Sequence, residues 1–135
     1  MCLCSLVAWL ASGAQATTSP TARPCPSVAI VDAALGQKFK SPTSTKTAFS
    51  KACMYQGSGP VPLKIEFQVD TSSTFAAAEK AVTPSSIVVL HNLGKAAWAT
   101  KVSGDLEVFD GHETIKILGL LIPTSKLEAL ARKLL

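Results

Sequence analysis

Aromatic and charged side chains are sparse in this chain of 135 residues, at 6% and 16%. There is one tyrosine, and there are only two histidines. A binder of single-stranded nucleic acid sets stacking rings along a dense basic stripe; neither is present, so nucleic acid is not an expected partner. Beyond residue 16 no apolar run approaches the 18 or so residues needed to span a bilayer; the longest is ILGLLIP, at 117–123. The chain is therefore not expected to be transmembrane. Also missing are G-x-S-x-G, S-x-x-K and HExxH, and any glycine loop closing on Lys-Ser or Lys-Thr, the short signatures of nucleophilic, metallopeptidase and nucleotide chemistry. No cofactor is expected.

Acids are scarce in one segment in particular. From Thr17 to Lys51 the bases are Arg23, Lys38, Lys40, Lys46 and Lys51, against the single acid Asp32; the remainder carries eight of each sign. The formal net charge of +4 thus originates in one stretch. A solvated lysine-bearing loop accounts for it, and contact of Lys38, Lys40, Lys46 and Lys51 with an anionic cell-envelope component is the functional reading.

The first sixteen residues, MCLCSLVAWLASGAQA, join an apolar run to the small-x-small triplet Ala14-Gln15-Ala16. This reads as a secretory signal, although no Lys or Arg precedes the run. Residues 17–24 read as a flexible polar leader and 25–135 as one domain, secreted or held at the cell envelope. No cysteine directly follows a small-residue box, so a lipid anchor is not expected.

Export decides the cysteines. Cys2 and Cys4 leave with the signal. Cys25 and Cys53 remain in an oxidising compartment, without the partners of a four-ligand zinc site and outside any CxxC, so a disulfide is expected. It would close a loop of roughly 29 residues, worth about 3.5 kcal/mol in the chain-entropy picture.

Periodicity supplies the elements. Ser27 to Leu35 reads as a short helix stopped by Gly36. The stretch 37–49 has no period and reads as irregular. Lys51–Gln56 and Leu63–Val69 read as a strand pair, the second alternating Leu63, Ile65, Phe67, Val69 with Lys64, Glu66, Gln68. Asp70 to Pro84 reads as a helix with Phe75, Ala78 and Val82 on one face. Ala97–Val102, Leu106–Phe109 and Glu113–Leu121 read as strands, the last two joined at Asp110-Gly111. A final helix carries Leu127, Leu130, Ala131 and Leu134 on its apolar stripe, with Ser125 and Glu128 at capping-box spacing. The expected fold class is α+β: an antiparallel sheet of about five strands, helices packed on one face, in the order α-β-β-α-β-β-β-α.

Within FDGHET, Asp110, His112 and Glu113 offer three metal-ligand types in four residues, but neighbouring strand side chains diverge, so a turn is the better reading and no metal is expected. His91 has no recognisable nucleophile beside it. Trp98 reads as core, with ligand stacking as its alternative.

The segments PCPSVAIVDAALG, ACMYQG, LGKAAWAT, LEVFDGHETIKI and SKLEALARKLL together resemble exported proteins and lipoproteins of unknown function common in actinobacteria. The resemblance implies that Cys25 and Cys53 are the family's disulfide pair, and it carries no activity or active-site set. The leading expectation is a non-catalytic, envelope-associated binding or accessory domain of unknown ligand. The rivals are a small secreted hydrolase using His91 or His112, and a secreted enzyme inhibitor contacting its target through the Lys38–Lys51 loop.

Overall fold

Alternating Leu63, Ile65 and Phe67, each nearly or wholly buried, lay down the centre of a sheet whose other strands follow the same two-residue logic. The computed structural model describes residues 23–102 and 104–135. The expected signal over 1–16, and the leader up to residue 22, lie outside the described residues.

In chain order the elements among the described residues are α1 (Val28–Leu35), β1 (Thr43–Lys46), β2 (Ser50–Tyr55), β3 (Leu63–Val69), α2 (Ser72–Ala81), β4 (Ile87–Leu90), β5 (Ala96–Thr100), β6 (Asp105–Phe109), β7 (Glu113–Leu118) and α3 (Thr124–Leu134), with a 3-10 turn at Pro84–Ser86 before β4. The seven strands form one sheet in the order β1-β2-β3-β7-β6-β5-β4, every neighbouring pair antiparallel.

The α+β class holds, with two corrections. There are seven strands, not about five. The two that sequence patterning missed are the edges, β1 and β4. All four residues of β1 are exposed, so no buried face imprints an alternation on TSTK. Strand β4 is a run of four apolar residues, IVVL, whose period cannot be read. The helices also do not share one face. Ala97, Ala99, Leu106, Val108, Ile115 and Ile117 pack with Val31, Leu35, Leu127, Leu130 and Ala131 in one core. Trp98 and Phe109, at alternate positions, pack with Phe75 in a second. Two-residue periodicity puts these sets on opposite faces. Helices α1 and α3 therefore cover one face, and α2 covers only the β5–β6 corner of the other, stacking Phe75 on Phe109 at 5.6 Å.

Local chemistry explains the boundaries. Ser27 Oγ accepts from Ile30 N at the start of α1, and Gly36, at φ 69°, ends it. Thr71 caps α2 through Thr74 N. Of the expected α2 face only Phe75 is buried; Ala78 is exposed and Val82 half-buried. The Ser125–Glu128 capping box does not form: α3 starts two residues earlier than that spacing requires, with Pro123 at the cap position and no side-chain cap bond. Its predicted stripe, Leu127, Leu130, Ala131 and Leu134, is buried throughout.

Because neighbours are antiparallel, the connections gather at two ends of the sheet. The α1–β1, β2–β3, β5–β6 and β7–α3 connections lie at one end, called here the upper. The β1–β2, β4–β5 and β6–β7 turns lie at the lower.

Candidate functional surfaces

A clasp fastens the start of the described chain to the lower end. Cys25 and Cys53 form a disulfide with Cα atoms 5.8 Å apart, joining the segment ahead of α1 to β2. Two residues beyond Cys53, the Tyr55 hydroxyl donates to the carbonyl of Pro26, the residue after Cys25, at 2.6 Å, and burial raises that phenol's pKa to about 12. Lys51 Nζ donates to the Arg23 carbonyl at 2.8 Å. The Arg23 guanidinium lies 4.5 Å from the centroid of the Phe67 ring and donates to the Glu113 carboxylate and the Leu134 carbonyl. Arg23 and Pro24, the last two residues of the segment expected to be a flexible leader, thus belong to this clasp. Burial raises the Glu113 pKa, and Arg23 opposes that shift.

The FDGHET segment is a turn. Asp110 accepts from the backbone N–H of His112 at 2.8 Å and of Glu113 at 2.9 Å, so its carboxylate caps the turn, as Asx residues do. Glu113 points inward to Arg23 while His112 is exposed, the divergence that strand geometry requires. His91 is exposed in the β4–β5 connection. Among the described residues no group of three or more His, Cys, Asp or Glu side chains could hold a metal ion.

The sheet face that α2 covers only at its β5–β6 corner carries a transverse row of cross-strand partners: Val89, Trp98, Glu107, Lys116, Glu66, Ala52 and Thr45. Its charges pair locally, Lys64 with Glu66 at 2.7 Å and Lys116 with Glu107 at 3.9 Å. Partial burial raises the Glu107 pKa; Lys116 lowers it, and the nearby carboxylates Asp70, Asp105 and Glu66 add to the rise. A groove of about 270 Å³ runs beside Trp98, Lys64 and Leu118. Trp98 is 5% exposed, and its indole Nε1 is buried with no hydrogen-bond partner among the described residues. It is a core residue at the margin of a groove.

The lysines of the 38–51 segment do not form one patch. Lys38 and Lys40 are exposed at the upper end, where Lys40 N donates to Gln56 O. Lys46 pairs in register with Lys51 at the lower end. The segment between is edge strand β1, not a protruding loop. Lys38 is 3.4 Å from Asp32, whose carboxylate also accepts from Phe39 N.

At the upper end Lys38 and Lys40 share the surface with Lys101 and with large exposed apolar side chains: Val61 at 49%, Leu120 at 50%, and Leu121 and Val102 at 90% exposure each, Val102 lying beyond the end of β5 at Thr100 although periodicity extended that strand to it, on a face with Trp98 and Thr100. Val61, Leu120 and Leu121 border one hollow of about 230 Å³ with Phe39 and Pro60. Leu121 borders a second with Lys101 and Val102. The available sequence signal was that 117–123 is the longest apolar run after residue 16, although the expected strand was extended to Leu121.

No family description, no curated protein and no solved structure matches the chain. Among the described residues no helix is long and apolar enough to cross a membrane.

Proposed function

We propose that this protein is an exported, non-catalytic binding domain that works at the cell envelope, and that its contact surface is the upper end of the sheet. The observation that carries this reading is the coincidence there of exposed Lys38, Lys40 and Lys101 with the exposed apolar side chains of Val61, Val102, Leu120 and Leu121. Large apolar groups clustered in solvent mark contact sites, and cations beside them select an anionic partner. The Cys25–Cys53 disulfide supports an oxidising compartment.

The test is co-sedimentation of the purified protein with an isolated envelope fraction. Wild type is expected in the pellet at low salt, and Lys38→Glu/Lys40→Glu is expected largely in the supernatant. Lys46→Glu, at the other end, should behave as wild type. Equal recovery of all three would remove the upper end as the contact surface.

A further inference from the structure

The chemistry of the upper end can be taken one step further, resting on the reading just given. The β7–α3 connection closes through Ile122 N donating to Gly119 O at 2.9 Å, leaving Leu120 and Leu121 as its two central residues. Leu121 sits there at φ 67°. A turn with positive φ at its second central residue ordinarily takes glycine or asparagine there, because a Cβ is crowded in that region. This chain instead carries a leucine whose side chain is 90% exposed. The residue is disfavoured twice, once by its backbone and once by its solvation, and neither is offset by packing within the domain. Strain of this kind concentrates where a segment binds something.

Its neighbours identify what is bound. Val61, Leu120 and Leu121 project around one hollow, and Val102 lies beside Leu121 across a second. These side chains come from three separate connections at one end of the sheet and therefore form tips, not a groove with walls that would grip a peptide. Lys38, Lys40 and Lys101 are exposed at the same end. Of the acids on these elements, Asp32 is already engaged by Lys38 and Phe39 N, and Asp105 at the start of β6 is half-buried. Apolar tips backed by cations match a lipid surface: the tips enter the headgroup–acyl boundary while ammonium groups meet anionic headgroups. We infer that the upper end docks on an anionic lipid bilayer, with Leu120 and Leu121 as the inserted residues and Lys38, Lys40 and Lys101 as the headgroup contacts.

The experiment uses the domain with its disulfide intact and vesicles of phosphatidylcholine, alone or mixed with phosphatidylglycerol, read by co-sedimentation. Wild type is expected to bind the mixed vesicles and to bind phosphatidylcholine alone far more weakly. Leu121→Gly is the informative variant, because glycine suits the backbone while removing the tip. Its thermal melt should be no lower than that of wild type, and its vesicle affinity should fall roughly ten-fold. Each lysine changed to alanine should cost about five-fold, and raising the salt toward about 1 M, where screening shortens to about 3 Å, should release much of the bound protein. Phe49→Ser, which removes the 70%-exposed ring of the opposite end, should bind as wild type. Binding unchanged in Leu121→Gly, or lost in Phe49→Ser instead, would overturn the inference. So would a protein that sediments with envelope fraction but ignores mixed vesicles; that result leaves the envelope reading intact and points to an anionic wall polymer. Failure on both materials would remove the two readings together.

Discussion

Tyr55 and Cys53 are two positions apart on one strand and hold the same short segment, one through a hydrogen bond to the Pro26 carbonyl and one through sulfur. Replacing both Cys25 and Cys53 with alanine is expected to lower the unfolding free energy by about 3 kcal/mol, the scale set by the loop closed; urea melts of oxidised wild type and variant measure it. Tyr55→Phe leaves a part-buried carbonyl without its donor and should cost about 1–2 kcal/mol in the same assay. A third residue-scale prediction concerns pH. Burial raises the Glu107 pKa above its ordinary 4.5, and the neighbouring acids push the same way against Lys116. The folded state then holds this proton more tightly than the unfolded chain does. Its contribution to stability is largest below pH 4.5, falls as pH rises from there through the raised folded pKa, and is flat above it. Glu107→Gln should therefore gain stability relative to wild type across that window, measured by urea melts at a series of pH values. The disulfide was legible because the reading of residues 1–16 as a cleaved signal left Cys25 and Cys53 with each other. The Arg23–Glu113 pair was not: its members stand 90 positions apart, and nothing local in TARP distinguishes a fastened arginine from a loose one.

At the scale of elements, legibility followed burial. Strand β3 and helix α3 have one buried and one wet face, so their sequences carry a period. Edge strand β1 has no buried face and left no mark, and β4 is too short and too uniformly apolar to show one. The side of the sheet taken by α2 was illegible for a different reason: Trp98 and Phe109 fall on the face opposite Ala97 and Val108, but no local pattern says which of two apolar faces a given helix will choose. The connection between β4 and β5 supplies the prediction at this scale. Gly94 lies at φ 62°, and a Cβ there would stand 2.7 Å from both the Phe109 carbonyl oxygen and Val108 Cγ1. Lys95 N donates to that same carbonyl at 2.7 Å, so the backbone cannot retreat without breaking the β5–β6 join. Gly94→Ala should destabilise the domain by several kcal/mol, on the order of 2–4 from combined backbone strain and overpacking, seen as a lower denaturation midpoint. Gly36→Ala, where the nearest atom is the flexible Lys126 ammonium at 3.4 Å, should cost less.

Over the whole molecule, topology sorts the surface in a way composition does not announce. The basic segment reads as a unit in the sequence, yet strand β1 carries Lys46 to one end while Lys38 and Lys40 stay at the other. The apolar tips come from three connections that only the antiparallel sheet brings to one end, which is why the candidate contact surface was invisible to local reading. The prediction that belongs here is electrostatic: envelope association should weaken steeply with ionic strength and respond to charge reversal at Lys38 and Lys40 but not at Lys46, as measured by co-sedimentation.

The Arg23 guanidinium reaches the Leu134 carbonyl, so the first described residue and the last turn of α3 are side by side, at the far end from Leu121. Six-residue β7 alone separates the two ends by roughly 20 Å. A tag fused after Leu135 and captured on a sensor chip would accordingly hold every molecule with its leucine turn facing the flowing sample, and a dye on that tag would ride well clear of any bilayer the turn had entered.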